Sequence, residues 1–362
     1  WVAVRVPDDC ISAHANQSRI HQFNMNDKEN CMYSPDVISF AREKGYFDGV
    51  NKDFSFADAY APLDFGARRY CEARVWSYFN MFTDRGNEFL PYILGETDTP
   101  MPLFVKPNRK VSVQDVKNAM RDHYEGTPLD ISKDFGAGPY HTPYRLSPLS
   151  FKVDDQEYFN ERPISTQQSG FVFVRSELPD PIGGVLWFGT DDANMTVFTP
   201  VYCCTDKVPV CYTRVDGADY ITFSWNSAFW IFNWVANMVY PRYDLMMGDV
   251  RATQTELETT FNEAQEGVEA AAAKLLEKDP AKAKAFLTNY TNMTAQSTFD
   301  TWKRLGEFLV VKYNDGVVKR MKNGQFERNA IGQPAGVIRP GYPKEFLEEY
   351  VKQTGDRYKM PE

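Results

Sequence analysis

A capping box at Thr253-Gln-Thr-Glu256 is followed by Leu257, Phe261, Ala264, Val268, Ala271 and Leu275, at alternating steps of four and three. Apolar residues at that spacing fall on one stripe of an α-helix, and a Thr and Glu three apart satisfy free N–H groups at its start. A stripe this long has to be buried against a partner, so the chain after about Arg251 is constrained to pack as helices. Asp279-Pro280 ends that helix and starts a second, because proline lacks the N–H of a helix interior yet suits a first turn. A third is predicted through Phe299, Trp302, Leu305 and Leu309 and stops at Asn314-Asp315-Gly316; Pro343 opens a short terminal helix through Phe346, Leu347 and Tyr350. The chain is therefore expected to divide into 1–250 and a helical C-terminal region, 251–362.

The earlier part has a different texture. Trp1-Val-Ala-Val-Arg-Val6 reads as a strand that turns at Pro7-Asp8-Asp9. Ser34-Pro35 predicts an N-cap and first helical residue, with Gly45 as the left-handed stop. From Asp64 to Phe82, Phe65, Tyr70, Ala73, Trp76, Tyr78 and Phe82 recur at mixed helical spacings, which predicts a mostly buried helix. Ser112-Val-Gln-Asp115 opens another, ending near Gly126. Phe135 to Arg162, rich in Gly, Pro and Tyr without a period, reads as a long ordered loop of the kind that carries function. Gly170–Arg175, Gly184–Gly189 and Thr196–Tyr202 are short apolar runs separated by turn residues, and they predict an antiparallel sheet. Gly184–Phe188 is nearly continuous in hydrophobicity, as in a strand covered on both faces. An α+β class follows.

A net charge of -9 argues against an electrostatic nucleic-acid footprint, and there is no basic run. The most apolar stretch, Ala228–Tyr240, is too short and too interrupted by Asn to span a bilayer, and reads as a buried helix. Six cysteines in 362 residues are too dilute for a disulfide scaffold and leave cytoplasm and periplasm both open. Cys10 with His14 and His21, and Cys203 and Cys204 with Cys211, lack zinc-site spacing, so no metal site is expected. No Gly-rich phosphate loop or Gly-x-Ser-x-Gly elbow occurs.

Three polar clusters remain as candidate sites. Asn16 and Arg19 stand three residues apart in Ala13-His-Ala-Asn-Gln-Ser-Arg-Ile20. Such a pair can be structural, satisfying backbone carbonyls and a neighbouring carboxylate. Equally, an Asn amide can donate to a developing oxyanion and an Arg can clamp a carboxylate. Gly189-Thr-Asp-Asp-Ala-Asn-Met-Thr196 has the composition of a solvated hairpin turn. Its Asp191 and Asp192 can also hold an ammonium group, ligate a metal or act as an acid/base pair. Arg162-Pro-Ile-Ser-Thr166-Gln-Gln168 is a polar strand entry that can border a cleft.

Taken together, Trp1–Asp9, Ser12–Ile20, Tyr33–Phe40, Tyr60–Gly66, Leu186–Thr196, Ser224–Trp230, Lys278–Lys282 and Thr301–Gly306 resemble the bacterial dipeptidase A and secernin group of N-terminal-nucleophile cysteine peptidases. The resemblance implies a four-layer αββα core, here incomplete, and hydrolysis of dipeptides with free termini, without metal or organic cofactor. In such enzymes an N-terminal Cys attacks the scissile carbonyl, and its own α-amino group takes the proton. It implies further that this chain corresponds to the last two-thirds of such a protein. The nucleophile then lies upstream, none of the six cysteines takes its place, and the chain alone is inactive. On this resemblance Asn16 becomes an oxyanion donor and Arg19 a site-shaping or carboxylate-binding residue. Asp191, Asp192, Asn194 and Thr166 become substrate-binding residues of the cleft rim. The partners implied are a dipeptide and the N-terminal segment, with exposed strand edges inviting a homo-oligomer. An amidase or acylase acting on N-acyl substrates, and a non-catalytic secernin-like protein, are the alternatives.

Overall fold

The change of texture along the sequence has a structural counterpart in a computed structural model, which describes residues 1–144, 150–159 and 169–361. The chain is α+β and gathers into two units, Trp1–Leu129 with Arg145–Ile164, and Asp130–Tyr144 with Ser165–Glu362.

In the first unit β1 (Val2–Val4), β2 (Ile11–Ser12), β3 (Cys31–Tyr33) and β4 (Phe104–Val105) pair antiparallel, first with third and second with fourth. Helix α1 (Val37–Glu43) buries Val37, Ile38 and Ala41 against Phe54, just ahead of α2 (Phe56–Tyr60). It starts later than expected: Ser34 and Pro35 form a preceding turn in which the Ser34 carbonyl accepts from the Val37 amide. Gly45 is left-handed as expected, with φ 73°.

The helix expected from Asp64 to Phe82 forms, with a deviation in its middle. Asp64 accepts from the Ala67 amide to cap α3 (Phe65–Ala67), a π-turn occupies Arg68–Glu72, and α4 (Ala73–Phe82) completes the rod. A π-turn bonds each amide to the fifth preceding carbonyl, so residues five apart share a face. Phe65 and Tyr70 both meet the Phe159 ring, at 5.8 and 5.7 Å between centroids. The mixed apolar spacing of this segment thus has a physical cause. Helix α5 (Gly86–Leu94) packs on α4 and ends at left-handed Gly95.

The Ser112/Asp115 capping box opens α6 (Val113–Ala119), which ends at Ala119 and does not reach Gly126. Within the stretch expected to be an ordered loop, β5 (Ser150–Val153) and β6 (Gln156–Phe159) form a hairpin. Its two turn residues, Asp154 and Asp155, have φ 47° and 65°, the left-handed pair that a two-residue hairpin requires. Most of this hairpin is exposed, so no buried face imposes an alternating pattern that the sequence could display.

In the second unit β7 (Gly170–Val174), β8 (Gly184–Phe188) and β9 (Thr199–Tyr202) form the expected antiparallel sheet, with β8 central and the short helix α7 (Asp180–Gly183) leading into it. Val185 and Trp187 of β8 are buried, whereas Gly184, Leu186 and Phe188 on the opposite face are half-buried. Coverage of that second face is therefore only partial. The apolar run from Ala228 is α8 (Ala228–Val239), with Ile231, Phe232, Val235 and Val239 buried. No helix of the described residues is long and apolar enough to cross a membrane.

Helix α9 (Tyr243–Leu276) starts ten residues before the expected capping box. Thr253 lies inside it and donates to the Asp249 carbonyl instead of capping, so positions 250 and 251 fall within one continuous helix. Asp279 caps α10 (Pro280–Tyr313) by accepting from the Ala281 and Lys282 amides. This single 34-residue helix takes the place of the two expected there. Left-handed Asp315 and Gly316 end it as predicted. Beyond it lie two small strand pairs, β10 (Val318–Lys319) with β13 (Val337–Ile338) and β11 (Met321–Lys322) with β12 (Gln325–Phe326), and then α11 (Lys344–Thr354).

Gly306 marks where α8 and α10 approach. A Cβ placed there would lie 2.2 Å from Cζ3 of Trp234, whose ring is itself braced edge-on against Trp225. Alanine is the better helix former by ~1 kcal/mol, but forcing the ring aside costs more. Gly306→Ala is expected to lose about 1–3 kcal/mol in urea unfolding. A midpoint at or above wild type would mean that the ring swings away freely.

Candidate active site

Arg19 is 3 % exposed and its guanidinium is fully engaged by the protein. Nε donates to Glu72 at 3.1 Å, Nη1 to the carbonyls of Ala13 and Leu103, and Nη2 to those of Met101 and Pro102. The group also lies over the Phe79 ring at 5.5 Å. Its five N–H donors therefore tie residues 13–19 to 101–103 and to the π-turn that carries Glu72. Glu72 was not visible as a site residue in the sequence. Its signal, an acidic residue inside the apolar run Tyr70-Cys-Glu-Ala73, is that of a buried carboxylate with a partner.

Asn16 lies on the loop that Arg19 anchors. It is exposed and left-handed, with φ 63°. Its side-chain Oδ1 accepts from Arg74 at 3.0 Å, and the same guanidinium donates to the Ala15 carbonyl. Arg74 is itself oriented by donating from Nε to the Tyr70 carbonyl at 2.6 Å. With Oδ1 held, the amide nitrogen of Asn16 points its two protons elsewhere, and it has no partner among the described residues.

In the second unit, 189–196 is not the solvated turn its composition suggested. Ala193, Asn194, Met195 and Thr196 are almost wholly buried. Buried backbone must find partners, and α9 supplies them. Gln254 donates to the carbonyls of Asn194 and Thr196 at 2.9 and 2.6 Å, and Glu258 accepts from the Phe198 amide at 2.9 Å. Four residues of helix rise by about 6 Å, close to the advance of two extended residues, so two side chains one turn apart match alternate backbone groups.

Asn194 is braced on every side. Its amide nitrogen donates to Tyr243 Oη at 3.1 Å, its Oδ1 accepts from Arg251, and its backbone amide donates to Asp192 at 2.7 Å. Asp192 accepts in addition from the Met195 amide and from Tyr240 Oη at 2.7 Å. Burial, with the Asp192 charge, pushes the Tyr240 phenol well above its ordinary range. Asp191 differs. It is left-handed, with φ 62°, and it accepts from the Asn233 amide of α8, at 3.3 and 3.4 Å, and from the neighbouring Asp192 backbone amide. Burial pushes its carboxyl up to about 6, with the Asp192 charge adding to the effect. A carboxylate kept weakly solvated and weakly paired at a strained backbone position has the character of a functional group.

Asn16 and Arg19 thus come together in the first unit, and Asp191, Asp192 and Asn194 in the second. Thr166 lies outside the described residues. Among the described residues no three His, Cys, Asp or Glu side chains converge to hold a metal ion. Four of the cysteines have thiols shifted upward, the opposite of an activated thiol. Burial and the adjoining Asp9 carboxylate raise Cys10, burial raises Cys31 and Cys204, and burial pushes Cys211 up to about 11.

Compared with known proteins, residues 1–256 match peptidase family C69. The chain belongs to peptidase family C69. Among the relatives of this C69 chain, a probable dipeptidase of Salmonella dublin is 35% identical over 207 residues, covering 56% of this chain and 42% of that protein. A probable dipeptidase of Latilactobacillus sakei is 26% identical over 80% of this chain and 54% of its own length. Dipeptidase A of Lactobacillus helveticus is 22% identical over 64% and 43%. The C69 chain spans about half the length of the curated relatives it matches.

The Asp191 environment carries a pH signature. The folded carboxyl titrates near 6, against ~3.9 unfolded, so the folded state binds its proton more tightly. That contribution to stability is fully present below about pH 4 and is lost as pH rises through about 6. At neutral pH, Asp191→Asn is therefore expected to stabilise the fold by roughly 1–3 kcal/mol, with the gain vanishing at pH 4. Urea midpoints of the two proteins across pH 4–8 check this; a pH-independent difference would contradict it.

Proposed function

We propose that the protein carrying this C69 chain is a cysteine dipeptidase, and that this chain supplies its oxyanion donor and part of its substrate cleft. The observation that carries the reading is the Asn16 amide, whose oxygen is fixed by Arg74 and whose nitrogen has no partner among the described residues. In the reaction, a thiol attacks the scissile carbonyl, the carbonyl oxygen becomes an anion, and an amide N–H donated to it lowers the barrier. The amine leaves with a proton, and water then resolves the thioester. The attacking thiol in this reading is an N-terminal Cys outside the six present here, of which Cys10, Cys31, Cys204 and Cys211 have thiols raised by their surroundings. Arg19 acts as a positioning residue that fixes the Asn16 loop, since its donors are all occupied. Asp191 faces the substrate, whereas Asp192 and Asn194 hold its loop in place. Helices α9 and α10, packed against β9, supply one helix layer and one sheet layer of a four-layer αββα core. The remaining partners in this reading are an N-terminal segment of the same protein and a second copy.

Hydrolysis by the protein at its natural length tests the proposal. Dipeptides with free termini should be cleaved and their N-acetyl counterparts refused, with loss of activity to a thiol reagent and not to a chelator. Equal cleavage of N-acyl substrates would make the protein an amidase. Binding without any turnover would make it non-catalytic.

A further inference from the structure

A cavity of about 410 Å³ opens in the second unit between the end of β8, the turn at Val210–Tyr212, the segment around Tyr220 and the first turn of α8. That volume is in the range of small-molecule sites. Phe188, Tyr212, Tyr220, Phe229 and Trp230 bring rings to its walls, and the charged pair there, Arg214 and Asp219, is closed on itself at 2.9 Å. Two of these rings have their polar ends fixed inside the protein. Tyr212 Oη meets Thr199 at 2.9 Å, and Trp230 Nε1 donates to the carbonyls of Thr222 and Asp219. Phe188 stands edge-on to Tyr212 at 4.9 Å, and Phe229 to Trp230 at 5.0 Å. What the cavity offers an occupant is therefore preformed ring surface, complementary to a flat apolar group.

Its position relates it to Asp191. Thr190, in the wall, immediately precedes Asp191. Phe229, also in the wall, lies one helical turn before Asn233 on the same face of α8, and Asn233 is the residue that touches Asp191. Asp191 thus stands beside the cavity with a carboxylate held only by neutral amides and with no cation paired to it among the described residues. A carboxylate next to a ring-lined pocket fits the ammonium and side chain of one residue, the amino-terminal residue of a peptide.

We propose that this cavity is the side-chain subsite for the N-terminal residue of the substrate, selecting large apolar and above all aromatic side chains, with Asp191 receiving the ammonium group. The inference rests on the dipeptidase reading, so its test needs one measurement that requires no catalysis.

Calorimetric titration of the chain with phenylalaninamide, alaninamide and N-acetylphenylalaninamide provides it. Phenylalaninamide should bind at least tenfold more tightly than alaninamide, because the ring is buried only in the former, and more tightly than the acetylated probe, which lacks the ammonium. Tyr220→Ala, at a side chain 84% exposed and so without a folding role, and Phe229→Ala should each reduce that preference severalfold. The natural-length protein should show the same preference in kcat/KM for Phe-Ala over Ala-Ala, and lose it in both variants. Selective binding without turnover of any dipeptide would overturn the dipeptidase reading and leave the subsite standing. Turnover with no side-chain preference, or equal binding of the three probes, would overturn the subsite alone.

Discussion

Asn16→Ala is expected to lower kcat for a dipeptide by about a hundred- to a thousandfold, with KM changed far less, the behaviour of a donor used only when charge develops on the carbonyl oxygen. The prediction rests on how Asn16 is held. Arg74 captures Oδ1, so the amide cannot flip to present its oxygen to the substrate. The left-handed backbone at φ 63° sets the direction of the side chain, and asparagine tolerates it better than most residues. Alanine there would also bring about 1–2 kcal/mol of backbone strain, so Asn16→Gly is the cleaner replacement. Glycine accepts the same φ and removes the whole amide, its donor and the oxygen that Arg74 binds, without backbone strain. Both variants should lose turnover alike, whereas stability should fall further in the alanine variant, which alone carries the backbone strain. Wild-type kcat in Asn16→Gly would remove Asn16 from catalysis altogether.

The second large effect is on stability. Glu72→Ala is expected to cost about 3–5 kcal/mol in urea unfolding, the scale of a buried ion pair broken from one side. Glu72 and Arg19 are both about 3 % exposed and meet at 3.0 Å. Without the carboxylate, the guanidinium keeps its bonds to four backbone carbonyls but carries an uncompensated charge away from water. Arg19→Lys should fare little better, because a single ammonium cannot reach acceptors spread over a planar fork. A loss under 1 kcal/mol for Glu72→Ala would mean that water enters and solvates Arg19.

Much of the architecture could be read from the residues because it rests on local chemistry. Asp279-Pro280 and the Ser112/Asp115 box act through neighbouring amides, and both open the helices they predicted. The β7–β8–β9 sheet followed from short apolar runs between turns. Misreadings occurred where tertiary contacts outweigh local signals. Thr253 and Glu256 have the spacing of a cap, yet the helix continues through them, starting from Tyr243. Gln254 and Glu258 look like solvated polar residues; they are buried because a distant loop needs partners for its backbone. The same contacts explain why 189–196 resembled a hairpin turn in composition and is a largely buried loop in fact. Of the site, Asn16 and Arg19 could be picked out as a pair, but their partners Glu72 and Arg74, more than fifty residues away in sequence, could not.

The π-turn at Arg68–Glu72 has a consequence for how this protein can vary. Each residue added to or removed from a helix rotates all that follows by about 100°. Phe65 and Tyr70 are in phase with Phe159, whereas Glu72 and Phe79 are in phase with Arg19. Deleting one residue between 68 and 72 would give a more regular helix in which only one of those two sets still faces its partner. This stretch can therefore absorb many changes of side chain and almost none of length, and a one-residue gap there would mark a relative whose Asn16 loop is held in another way.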